Sequence, residues 1–256
     1  MTFFPEIMNI VRRTTALLAL LFLGTTGVLA QNNGTCGTGP APASTLSYLE
    51  SLASGYGIQT EDTSWIRLPV TAHIVRSSSG FGGMSESAVF ATICNLNQRF
   101  VSARISFYLL ERVKFIDNTT YYGATSYQPL MTMIDQNNVA RTINIYYTDL
   151  SGMSLCGFAF YPLTGPGGFQ NDGAVVMSFG CSQPEGTTLA HELGHYLNLP
   201  HTFDETSFDP MDPIAERVTR NFNEVPPRLS ANCFTSGDRF CDTPSDFIAT
   251  RWACPS

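Results

Sequence analysis

Three of the four histidines in this 256-residue sequence fall in one short stretch, AHELGHYLNLPHTF, residues 190–203. His191 and His195 are four apart, which on a helix puts both imidazoles on one face and within reach of a single ion. Thr187 or Thr188 is placed to cap such a helix, and Leu189, Leu193 and Leu197 face elsewhere. A continuing helix cannot bring His201 to the same ion, so the chain must turn away first. Asn198 sits where that turn is needed, and asparagine is the residue other than glycine best suited to a left-handed backbone. Pro200 then keeps the helix from continuing. For the first two histidines alone, the plain alternative is a pair of solvated surface side chains. A third at this spacing, in a histidine-poor chain, argues against it.

Three neutral imidazoles with a fourth position left to water make a catalytic rather than a closed structural zinc site. Glu192 stands beside the first ligand. It is placed to take a proton from a zinc-activated water and return it to a leaving amine, as a general base. His73, alone in LPVTAHIV, reads as a packed or hydrogen-bonded strand residue rather than a ligand.

Residues 1–30 read as a secretory signal peptide. Arg12 and Arg13 precede the apolar run ALLALLFL, and Val28 and Ala30 fill the −3 and −1 positions of a cleavage site. The run is too short to favour the alternative, a retained membrane anchor. The expected location is therefore secreted and extracellular. All seven cysteines follow that cut, so they meet an oxidising compartment, and an odd number leaves one thiol over. Two sequons, at Asn33 and Asn118, are open to glycosylation in a eukaryotic host. The net charge of −7, with Lys114 the single lysine, argues against nucleic acid and anionic membranes as partners. The length suits one domain, or one domain and a prosegment.

Residues 31–44 are rich in Gly, Pro and Ser and read as irregular, and 45–56 as a short helix. Strands are expected from Ile66 (IRLPVTAHIVRSS), as one or two strands over 105–116, and over 141–150, 155–163 and 173–179. Between the first two lies the clearest helix outside the histidine stretch. Ser85 can cap it, and Val89, Ile93, Leu96 and Phe100 recur along one face. This order predicts a mixed sheet lying under helices. After Phe203 the text turns to Pro, Asp and Asn and reads mostly as loop.

HELGHYLNLPH resembles the extended metzincin motif H-E-x-x-H-x-x-G/N-x-x-H. Asn198 in the turn, His201-Thr202-Phe203, and GDRFCDTP over 237–244 resemble the pappalysin (cytophagalysin-like, M43-type) branch. LPVTAHIV, NLNQRF and GFAFYP leading to DGAVVM match that branch in order and kind, so the resemblance covers roughly residues 66–254. It implies an α/β (α+β) metzincin-like zinc-protease domain over 65–256, after a prosegment-like region over 31–64. That domain has a twisted, mixed five-stranded sheet, a backing helix and an active-site helix. The function implied is a secreted zinc-dependent endopeptidase, a monomer acting on protein or peptide substrates, with zinc on His191, His195 and His201 and Glu192 as base. The alternative is a catalytically impaired zinc-binding remnant that binds peptides.

The resemblance implies further roles. The strand through Gly157, Phe158, Ala159 and Phe160 would border the cleft and pair with an extended substrate. Cys36-Gly37-Thr38 resembles a prosegment motif whose cysteine occupies the zinc and keeps the enzyme latent, the alternative being an ordinary disulfide at Cys36. Cys233 and Cys254 flank the GDRFCDTP loop as a disulfide pair does in the family, while pairing among Cys94, Cys156, Cys181 and Cys241 stays open. A structural calcium is allowed by the resemblance, though no ligand set stands out. A methionine-containing turn is expected after the GDRFCDTP segment, and the sequence ends twelve residues after Pro244, so the C-terminal subdomain is expected to be incomplete. Met211, which precedes that segment, reads as a loop residue.

Overall fold

A computed structural model describes residues 35–54, 64–161, 173–204, 206–207, 209, 212–218, 231–241 and 243–245. The expected signal peptide, Asn33, Met211 and Cys254 lie outside those residues.

The strands are β1 (Thr35–Cys36), β2 (Ile66–Arg76), β3 (Ile105–Leu109), β4 (Lys114–Asp117), β5 (Ile143–Thr148), β6 (Leu155–Ala159) and β7 (Ala174–Ser178). They form one sheet in the order β1-β6-β7-β5-β2-β3, with β4 also on β2. β3 runs beside Ile66–Val70 and β4 beside His73–Arg76, so the two share one edge of the long central strand. All pairings are parallel except β6 with β7. Counting β3 and β4 as one row leaves the expected five-row mixed sheet, plus a two-residue sixth row from the N-terminal segment.

The buried runs of β5 and β7, IYY and AVVMS, are those of strands covered on both faces. The face carrying Val70, Ala72, Ile74, Ile145, Val175 and Met177 packs against α2 (Glu86–Arg99) and α5 (Thr188–Tyr196). Ser85 caps α2, accepting from the Ala88 N–H at 3.2 Å. Val89, Ile93 and Leu96 are buried along its inner side, each contributing about 1.5–3 kcal/mol of transfer free energy. The backing helix and the histidine helix thus share one face.

The opposite face is covered by α3 (Thr119–Tyr122) and α4 (Tyr127–Asn137), through Tyr121, Leu130, Met133 and Ile134. The sequence reading left α4 out. Its signal is the spacing of Leu130, Met133 and Ile134, and its Pro129 lies in the first turn, where a missing N–H costs nothing. The N-terminal helix α1 (Ala43–Ser54) starts two residues earlier than expected.

His73 is a strand residue, as read. It is fully buried, stacks on Tyr146 with ring centroids 4.2 Å apart, and its Nε2 lies 2.9 Å from Asn144 Oδ1. Burial pushes it down to about 4, so it is neutral in the fold. Among the described residues two disulfides form, Cys156–Cys181 and Cys233–Cys241. The second corrects the expectation that Cys233 pairs with Cys254: a partner eight residues away is brought within 5.1 Å, Cα to Cα, by the local turns of the loop. Cys36 and Cys94 are free.

Candidate metal centre

Helix α5 places His191 and His195 on one face, with their Nε2 atoms 3.1 Å apart. Thr187 takes the cap position but makes no side-chain cap bond. The turn falls where the sequence places it: Asn198 has φ 81°, and the Asn198 and Leu199 N–H groups close back on His195 and Gly194 carbonyls. His201 then comes in from the loop, its ring centroid 4.3 Å from that of His195 and 5.6 Å from that of His191.

Cys36 completes the group. One donor atom from each of Cys36, His191, His195 and His201 lies within 4.8 Å of all the others. Cys36 Sγ is 3.7 Å from His195 Nε2. Around a tetrahedral zinc, with bonds of about 2.1 Å to nitrogen and 2.3 Å to sulfur, donors sit roughly 3.3–3.6 Å apart. The His191–His195 and Cys36–His195 separations bracket that range, and three imidazoles and one thiol suit zinc in softness. It is the one such cluster of three or more among the described residues.

The electrostatics agree. Burial first, then His191 and His201 nearby, push His195 down to about 3, so its Nε2 lone pair is free for a metal. Its Nδ1 sits 2.7 Å from the Leu199 carbonyl and 3.2 Å from the Tyr161 hydroxyl, contacts that assign the proton to that nitrogen. Burial first, then the Glu192 charge, push the Cys36 thiol up to about 12, a cost that a bound cation reverses.

Glu192 is fully buried, and burial pushes its carboxyl up to about 7 against the hydrogen bonds that hold it down. It lies over β6 at Gly157, and only glycine leaves that room: a Cβ there would sit 2.9 Å from Glu192 Cγ and 3.1 Å from the Val176 carbonyl. Glu192 Oε2 accepts from the Thr38 hydroxyl at 2.9 Å and lies 3.6 Å from Cys36 Sγ.

The N-terminal segment follows β6. Gly37 N–H donates to the Gly157 carbonyl at 2.7 Å, and Ala159 N–H donates to Thr38 Oγ1 at 2.8 Å. Tyr127 donates to the Gly37 carbonyl at 3.0 Å. Gly37 is squeezed there, since a Cβ would come 2.7 Å from Leu155 Cδ1 and 3.0 Å from the Tyr127 hydroxyl. Of the four expected cleft residues, Gly157 and Ala159 present backbone to this segment, while Phe158 and Phe160 pack toward α4. Sequence reasoning reached Thr38 only as part of a motif. It missed Tyr127, Tyr161 and Asp204, whose roles depend on chain segments far apart or on a loop without periodicity.

Residues 131–250 match the family model described as peptidase M43, pregnancy-associated plasma protein-A. The chain is 25% identical to an extracellular metalloprotease of Arthroderma gypseum over 202 residues, covering 76% of this chain and 60% of that protein. It is 24% identical over 193 residues to one of Arthroderma benhamiae, covering 72% of this chain and 70% of that protein. An extracellular metalloprotease of Podospora anserina is 23% identical over 208 residues, 75% of this chain and 62% of its own length. The chain thus spans about three fifths of the first of these relatives.

Proposed function

We propose that this chain, a metallopeptidase of family M43 by its match over residues 131–250 and its likeness to extracellular metalloproteases, is a secreted zinc endopeptidase held latent by its own N-terminal segment. The observation that carries it is the convergence of three histidines, one thiol and one buried carboxylate beside a strand whose backbone can receive a peptide. No helix among the described residues is long and apolar enough to cross a membrane.

His191, His195 and His201 would hold zinc, which when bound would polarise the scissile carbonyl and lower the pKa of the attacking water. Glu192, beside the first histidine, takes that water's proton and delivers it to the leaving amine. Gly157 and Ala159 hold the substrate backbone by strand pairing, which fixes its carbonyl against the centre.

In this reading Cys36 stands in for the water, Thr38 occupies the base, and Gly37 and Thr38 take backbone groups of β6. Cys36 is free of any disulfide, which favours the latch over the alternative raised by the sequence. The test compares unprocessed wild type with Cys36→Ala on a denatured protein substrate. Cys36→Ala should cleave several-fold faster, lose activity to a chelator and regain it with zinc. Equal rates would sink the latch. A zinc-loaded Cys36→Ala protein that releases no peptides would sink the peptidase reading.

A further inference from the structure

His201 reaches the centre from a loop, so no helical repeat sets the angle of its ring. Two contacts set it instead. Phe203 stacks on the imidazole, with centroids 4.7 Å apart and planes 18° apart. Asp204 borders the other ring nitrogen: its Oδ1 is 3.5 Å from His201 Nδ1, and its Oδ2 accepts from the His201 backbone N–H at 3.3 Å. The two side chains are 5% and 9% exposed, so water does not screen them as it does a surface pair. With Nδ1 turned to a carboxylate, Nε2 is the nitrogen left for an ion. A carboxylate behind a ligating imidazole orients the ring, selects its tautomer and raises its basicity. The second oxygen has another use, accepting the Ala41 N–H of the N-terminal segment at 3.2 Å.

Given the zinc reading of the three histidines, we propose that Asp204 is a positioning residue for His201, holding the loop-borne ligand at the angle that the helix supplies to the other two. Without it, the stack on Phe203 still limits the ring but permits either tautomer, which weakens the third ligand. The same side chain anchors the N-terminal segment, so the residue has one role in each state of the enzyme.

The test uses the full secreted chain. Asp204→Asn keeps an oxygen for Ala41 and for the His201 N–H but turns an amide toward Nδ1. Zinc affinity is read by competition with a chromophoric chelator, and the ligand field by the visible spectrum of the cobalt(II)-substituted protein. Asp204→Asn should weaken zinc by about 10–100-fold and shift the cobalt bands, with the melting temperature of the metal-free protein unchanged. Asp204→Glu, which keeps the charge and moves it by one methylene, should recover part of the affinity. Wild-type affinity and spectrum in Asp204→Asn would overturn the proposal. So would a loss that follows a collapse of the metal-free melting temperature and is not rescued by glutamate. If the asparagine variant does not fold, Asp204→Glu alone decides: a cobalt spectrum identical to wild type overturns the positioning role. Failure of the zinc reading itself would show separately, as wild-type protein that binds no zinc.

Discussion

The two edges of the sheet carry the same chemistry, a row of backbone groups with a free side, and solve it differently. On the β6 edge, the chain's own N-terminal residues complete the pairing, with Cys36 opposite Gly157 and Gly37 bonded to the Gly157 carbonyl. The strand LCGFA has no charged side chain and is almost entirely buried. On the far edge, β3 and β4 are short and interrupted between Leu109 and Lys114, and nothing pairs with their outer side among the described residues. Tyr108, Leu110 and Phe115 are exposed there. Charges stand over them: Arg76 bonds Asp117 through two nitrogens and lies 4.2 Å from the Phe115 ring, and Lys114 pairs with Glu111 at 3.0 Å. Short strands, a break and charged side chains discourage further pairing. The outer edge is closed by its own sequence, whereas the β6 edge is closed by a separate N-terminal segment, which under the proposed function gives way to substrate.

The largest effect belongs to Glu192, which lies over the β6 edge at Gly157. Glu192→Gln should lower the turnover of the Cys36→Ala enzyme by about 10²–10⁴-fold while zinc stays bound. Activity within a few-fold of the parent would remove Glu192 from the role of base. Next comes the strand between the edges. His73 is neutral in the fold, with its value lowered from 6.5 to about 4 by burial. Below about pH 6.5 the unfolded chain takes a proton that the native state refuses, so stability is lost as pH falls from 6.5 toward 4. The full difference is about 3 kcal/mol. The drop in urea midpoint between pH 7 and pH 4.5 should be smaller for His73→Asn than for wild type, with His195, also lowered, keeping the rest of it; an equal drop would show that His73 is not a group responsible. The smallest effects compare the edges directly. Gly157→Ala drives a methyl group against Glu192 and Val176 and should cost about 1–3 kcal/mol, together with activity. Tyr108→Lys on the outer edge should stay within about 0.5 kcal/mol. Equal losses in thermal melts of the two variants would mean that both edges are structural and neither is kept for exchange.

Much of this was legible in the sequence because it is local. The four-residue spacing of His191 and His195, the left-handed turn at Asn198 and the Ser85 cap are properties of one helix turn, and each appears where the spacing puts it. The strands from Ile66 to Ser178 follow from short apolar runs between turn residues. Helix α4 was hidden because three buried positions around a proline make a weak period. The Cys233–Cys241 bond was hidden because sequence does not say which of several cysteines the loop turns toward each other.

Residues 190–201 by themselves determined the three nitrogen donors and the carboxylate beside them. Their surroundings come from packing: Thr38 on Glu192 across 154 residues, Tyr161 beside His195, Asp204 behind His201, and Cys36 within 4.8 Å of all three imidazole donors. A helix repeats its own geometry and so can be read from spacing. Contacts between a loop, an edge strand and an N-terminal segment have no period, and exist only once the packed sheet has brought their chains together.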